Sequence, residues 1–296
     1  MASVAAIAFG RINEMASEGQ EVLKGMLIPG RVNVLGVGIH SLDLPSAVEL
    51  MESAVVSGRR GYVCVTDVRA IIEAQDNPSY LQVLNSSLLT VPDGRPSVWV
   101  GRAQGFSRMD QVAGPDLILE FCKLSSEKGY SQFFYGGAPG VAERLKDVLS
   151  QRFPGLKVVG TYTPPFRPLN GQEEKEVTEL VARLKPDVTW IGLGAPKQEL
   201  FMAKYLSRFD TTLMVGVGAA FDMHTGQIKD APQWVKRLGF AWVHRLMQEP
   251  TRLWKRYLKS NPRFIWAITL QLLRLKKYDL NASRGQKSQG ISSLSV

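Results

Sequence analysis

VTWIGLGAPKQE, residues 188–199, reads as a buried strand that ends in glycines and turns at once into a helix. The apolar run 188–194 has strand length, and Pro196 suits a first helical turn, where its missing N–H is not needed. Glycine at the carboxyl end of a strand lets the backbone turn sharply and approach a ligand. The N–H groups of the following helix then face an anion. The same punctuation recurs in QFFYGGAPG (132–140), with Gly136, Gly137 and Gly140, and in TLMVGVG (212–218), with Gly216 and Gly218. One such turn is weak evidence, because tight packing of a helix on a strand also selects glycine. Three in one half of a chain point to a nucleotide site.

Further strand-like runs lie at 32–38, 62–66, 87–91, 97–101 and 157–162, and helical patterns at 44–57, 68–75, 115–128, 139–152, 171–184 and 196–207. This alternation predicts an α/β fold: a Rossmann-like, mostly parallel sheet with helices on both faces. Residues 31–235 form that domain. Residues 1–30 read as a weakly ordered or helical extension, 236–279 as a basic amphipathic appendage, and the Ser/Gly-rich 280–296 as a disordered tail. YTPPFRPL (162–169) reads as a stiff, exposed loop over the sheet edge.

Composition narrows the function classes. The chain has 296 residues, 45% hydrophobic and 21% charged, enough for one large core or two small ones. Cys64 and Cys122 sit in apolar runs and read as ordinary buried thiols. The three histidines show no HxH or HExxH spacing, against a zinc hydrolase. No complete GxGxxG with its downstream acid and no GxxxxGK[ST] occurs, which disfavours a dinucleotide oxidoreductase and a P-loop. No apolar run is long enough to span a bilayer. MASVAAIAFGRINEMASEGQ lacks the pattern of a secretory signal, so a cytoplasmic protein is expected.

Charge is unevenly placed. Residues 1–235 carry 23 Lys/Arg against 25 Asp/Glu, whereas 236–277 carry 11 Lys/Arg and a single acid, Glu249. Such a patch attracts nucleic acid, anionic head groups or a diphosphate. Trp242, Trp254, Tyr257 and Trp266 are interleaved with the basic residues. Rings with one apolar face and one polar edge suit the membrane interface, so the cytoplasmic membrane surface is favoured over nucleic acid. Pro250 and Pro262 are expected to divide the segment into short helices. An apolar tail of this kind, off the membrane, is open to cover by a second copy in a homo-oligomer.

Several polar residues follow the strand ends. Lys197 can meet a phosphate and Gln198 a sugar hydroxyl, while Glu199 also fits a plain capping role. Asp222, after GVGAAF, can accept from a ribose or base, or make a local turn contact. Asp93, in VPDGRP (91–96), fits either an Asp-Gly turn or a general base whose pKa a nearby diphosphate would raise. Thr66, ending YVCVT, is a further crevice candidate. No Asp-x-Asp pair occurs, so cationic side chains or helix dipoles would have to stabilise a diphosphate leaving group.

These motifs, taken together, resemble the WecG/TagA/CpsF family of bacterial glycosyltransferases. The resemblance is carried by VPDG (91–94), VAGPDL (112–117), YGGAPGVAE (135–143), GLGAPKQE (192–199), GVGAAFD (216–222), TGQIKDAP (225–232) and RLMQEPTRLWKRY (245–257). It implies inverting, metal-independent transfer of a sugar, with no cofactor, from a UDP-sugar donor to a polyprenyl-diphosphate-linked sugar acceptor. The sugar is of the N-acetylmannosamine type, its uronic acid, or glucose, and the product feeds cell-surface polysaccharide. It implies a base at Asp93, substrate contacts at Thr66 and Gln198, and diphosphate-binding arginines at Arg245 and Arg252, with Lys255 or Arg256 as the third; the strand-end turns themselves add Gly137, Gly194, Lys197 and Asp222 as substrate-binding candidates. The enzyme would sit peripherally on the inner face of the cytoplasmic membrane. The chain departs from the family pattern at Val68, Gln111 and Ala241, where asparagine, arginine and glutamate are usual. Those departures raise a rival, a non-catalytic nucleotide-sugar binder or scaffold of a polysaccharide assembly complex.

Overall fold

The computed structural model describes residues 22, 23 and 26–280. Most of the expected N-terminal extension, and the tail beyond 280, lie outside the described residues. Within the extension, β1 (Val22–Leu23) and β2 (Met26–Leu27) pair antiparallel. The segment expected as one strand at 32–38 is instead a hairpin, β3 (Arg31–Val34) and β4 (Val37–His40). Its turn is Leu35-Gly36, both at positive φ (52° and 81°), the geometry that two-residue hairpins favour.

The core is a six-stranded, all-parallel sheet. Its strands are β5 (Gly61–Thr66), β6 (Leu89–Pro92), β7 (Ser131–Gly136), β8 (Lys157–Tyr162), β9 (Val188–Gly192) and β10 (Leu213–Gly216), in the order β6-β5-β10-β9-β7-β8. Strands covered on both faces need no polar alternation, and β5, β6 and β10 are buried at every position. β8 lies at the edge and is only partly buried. Helices α1 (Leu44–Ser57), α5 (Gly114–Lys128) and α6 (Val141–Arg152) help build one core layer. Helices α2 (Val68–Asp76), α3 (Pro78–Asn85), α7 (Gly171–Leu184) and α8 (Lys197–Tyr205) help build the other. The expected α/β class is therefore observed, and both cysteines are free and buried.

Two elements differ from expectation. SVWVG (97–101) is not a strand but part of α4 (Arg95–Ala103). A short apolar run fits either state, and here Pro96 in the first turn starts a helix that buries Ser97, Val98, Val100 and Gly101. Pro262 does not divide the basic segment. After α9 (Ala220–His224), α10 (Gln233–Arg237) and α11 (Ala241–Gln248), a single helix α12 runs from Pro250 to Leu272 straight through it. Proline removes one backbone donor, but body contacts on both sides hold the axis. Leu253 and Ser260 are buried before the proline, and Phe264 and Ile268 after it.

The second half of α12 is docked on the body. Phe264 and Ile268 join the core layer that contains α2. Arg263 makes a two-pronged ion pair with Asp76, with both N–O distances 2.7 Å. Gln271 accepts from Leu35 N–H (2.8 Å) and donates to Asn33 C=O (2.8 Å). This docking places the basic segment over the carboxyl ends of the strands.

Candidate active site

A crevice of about 1130 Å³ opens there. Its floor is the chain just past four neighbouring strands: Asp67 after β5, Asp93 after β6, Gly194 after β9 and Gly218 after β10. An open α/β sheet binds ligands at this end, where the strand order reverses. The roof comes from α11 and α12, including Arg245, Arg252 and Arg256.

Asp93 is half-buried at the floor. Its N–H donates to Thr66 C=O (3.1 Å), and its C=O accepts from Gln111 Nε2 (2.5 Å), so two neighbours fix its backbone. Its carboxylate accepts the N–H of Gly114, the first residue of α5. A side chain at Gly114 would press on Val217 C=O at 3.0 Å, so glycine lets this helix end come close. The Asp-Gly pair is no reverse turn: Gly94 is extended (φ −113°, ψ 147°) and precedes α4. Burial pushes the Asp93 carboxyl up to about 7, with repulsion from Asp67 and Asp116 adding and the Gly114 N–H and Lys236 opposing. The shift is thus built into the protein and needs no bound diphosphate.

Gln198 is buried at the start of α8. Its Nε2 donates to Glu199 Oε1 (2.8 Å), while its Oε1 has no partner among the described residues. A buried acceptor left open at the crevice wall is suited to a substrate N–H or O–H. Glu199 is no simple cap: it is buried, accepts from Gln198 and from Tyr80 OH (3.1 Å), and burial raises it to about 7. Lys197 is exposed at the crevice, with its ammonium 5.5 Å from the Phe166 ring centroid.

On the roof, Glu249 holds two arginines, Arg245 at 3.2 Å and Arg252 at 2.5 Å. Among the described residues Arg256 has no carboxylate ion pair. Burial first, then Arg69 and Arg252, lowers its pKa. Clustered like charges with one shared acid leave room for an anion.

Seven of the ten expected site residues line this crevice: Asp93, Gly194, Lys197, Gln198, Arg245, Arg252 and Arg256. Thr66, Gly137 and Asp222 are not among the lining residues. Thr66 is buried with its hydroxyl turned to Cys64 C=O (3.3 Å). Gly137 closes the β7–β9 junction, donating to Gly192 C=O (3.1 Å). Asp222 is half-buried within the field of the arginines: burial raises its pKa while Arg245 and Arg252 pull it down.

Sequence reasoning missed Asp67, Arg69, Trp99 and Lys236 as crevice residues. Lys236 is 7% exposed and pairs with Asp230 (2.5 Å) and Asp116 (3.6 Å). The only signal for it was a lysine at the head of the cationic run. Val68, Gln111 and Ala241, where the chain departs from the family pattern, also line the crevice.

Comparison with known proteins agrees with this geometry. The profile of the Glycosyl transferase WecG/TagA/CpsF family matches residues 32–278. Similar proteins include the N-acetylglucosaminyldiphosphoundecaprenol N-acetyl-beta-D-mannosaminyltransferase of Bacillus spizizenii, 32% identical over 76% of this chain and 86% of the relative. The proteins of the same description from Bacillus subtilis strain 168 and Staphylococcus aureus strain MW2 are 30% and 26% identical. They align with 76% and 83% of this chain and 86% and 95% of their own lengths. With strand ends, arginine roof and family match in accord, the chain belongs to the WecG/TagA/CpsF family of glycosyl transferases and is an enzyme of the hexosyltransferase kind.

Proposed function

We propose that the chain moves a hexose from a UDP-sugar to a polyprenyl-diphosphate-linked sugar, with inversion and without a divalent ion. The hexose is of the N-acetylmannosamine type, its uronic acid, or glucose. The observation that carries this reading is a carboxyl group poised near neutrality, Asp93, on the floor of a crevice roofed by Arg245, Arg252 and Arg256.

The donor's UDP lies against the turns at Gly194 and Gly218, near Lys197 and the start of α8. The acceptor sugar reaches Asp93 from the β6 side. In one displacement the acceptor hydroxyl oxygen bonds to the donor's anomeric carbon as the bond from that carbon to UDP breaks. UDP leaves with the bonding pair, and the hydroxyl proton passes to the Asp93 carboxylate. Attack opposite the leaving group inverts the anomeric centre. Lys197 and Arg245 meet the growing charge on the UDP diphosphate, the part a metal plays in other sugar transfers, and Arg252 and Arg256 hold the diphosphate of the acceptor. In support, the sequence has no Asp-x-Asp.

No helix among the described residues is long and apolar enough to cross a membrane. Trp254, Leu258 and Trp266 stand exposed on α12 beside Lys255 and Lys259. That combination supports a peripheral seat on the anionic cytoplasmic leaflet, where a soluble donor meets a lipid acceptor in building cell-surface polysaccharide. The test is mass spectrometry of products from a panel of UDP-N-acetylmannosamine, its uronic acid and UDP-glucose, given a short polyprenyl-diphosphate-N-acetylglucosamine. One acceptor-dependent product that persists in EDTA is expected. Donor hydrolysis alone, or loss of product in EDTA, contradicts the proposal.

A further inference from the structure

Along α12 the crevice wall changes character in a fixed order. Arg252 and Arg256 come first, interleaved with Leu253 and Tyr257, then Ser260 and Asn261, then only apolar residues, Phe264, Ile265, Ile268 and Leu272. From Arg256 to Leu272 the helix rises about 24 Å. The facing wall is α4, which contributes Trp99, Val100 and Ala103. Trp99 leans on Gly239, where any side chain would meet its ring at 2.8 Å. Ile265, Leu272 and Trp99 are 63%, 44% and 52% exposed although they line a concavity. Folding does not require apolar side chains there, and such surfaces mark binding sites. The outward Trp254, Leu258 and Trp266 are exposed too, but they do not line the crevice.

We infer that the groove between α4 and the C-terminal half of α12 binds the first isoprene units of the lipid-linked acceptor. The occupant follows from the order of the wall: cations, then neutral polar groups, then hydrocarbon, which matches a diphosphate continued by a polyprenol. The inference rests on the proposed function, because a diphosphate held at Arg252 and Arg256 sets where the tail begins. α12 then has two apolar surfaces with separate roles. The outer one rests on the leaflet, and the inner one guides a single lipid toward Asp93.

The experiment is calorimetric titration of the whole chain, without vesicles or turnover, with farnesyl diphosphate and with inorganic diphosphate. Farnesyl diphosphate is expected to bind at least tenfold more tightly. The Ile265→Asp/Leu272→Asp double variant should lose that preference and keep its affinity for inorganic diphosphate. Ala103→Trp fills the groove from the other wall and should do the same by bulk. Trp254→Ser/Leu258→Ser should keep the preference. Equal affinities for the two probes, or a preference lost only in the outer variant, overturns the groove. A chain that transfers sugar yet shows no farnesyl preference loses the groove alone. One that prefers farnesyl diphosphate yet transfers nothing loses the transfer reading alone.

Discussion

The floor and the roof of the crevice are built on opposite principles. The floor hangs from buried parallel strands: Asp93 is held through its own N–H and C=O, and Gln198 is packed beside Glu199. The roof is a set of half-exposed cations, two of them sharing Glu249. A group that takes a proton must be fixed and shielded, because its pKa depends on its surroundings. A group that neutralises phosphate needs charge and reach, and tolerates solvent. The shielding has a cost in stability. The Asp93 carboxyl titrates higher in the folded chain than in the unfolded one, so ionising it as pH rises from about 4 to about 7 weakens the fold.

Asp93→Asn strikes the floor and should have the largest effect. Turnover should fall by about 10²–10⁴-fold, the span of general-base catalysis, with donor affinity kept. The same variant should melt higher than the parent at pH 8 and match it at pH 4, as read by calorimetry. A variant with unchanged turnover would make floor and roof equivalent. Arg252→Ala strikes the roof. A roughly tenfold rise in acceptor KM is expected, with a weaker dependence on salt than in the parent, since exposed charges are screened. The smallest change is expected from Asp67→Asn, which removes a repulsion on Asp93. The acid limb of the pH–rate profile should move to lower pH with the maximum rate kept. A limb that stays in place would limit the cause to burial.

The floor was more legible in sequence than the roof's architecture, for physical reasons. Parallel strands buried on both faces read as continuous apolar runs, so β5, β7, β9 and β10 stood out. The glycine turns stood out as well, but one signature served two purposes. Gly194 and Gly218 border the crevice, whereas a side chain at Gly136 would strike Gly192 backbone at 2.8 Å, and its neighbour Gly137 serves that same junction. Only tertiary contact separates the two uses. SVWVG was ambiguous because Val98 and Val100 suit a strand as well as a buried helix face. Pro262 misled because local propensity favours a break, while the contacts of Phe264 and Arg263 with the body favour continuity. Lys236 and Asp67 became site residues through folding that brings the start of the basic segment against β5 and β6.

The central claim is that Asp93 is the base and that the fold itself holds its carboxyl near neutrality. Carbon-13 NMR of the aspartate carboxyl carbons, with Asp93 assigned by its absence in Asp93→Asn, reads that titration directly beside the pH dependence of kcat/KM. A midpoint near 7 that coincides with the acid limb of activity is expected. A midpoint in the ordinary aspartate range near 4, or an activity limb that ignores it, would contradict the account.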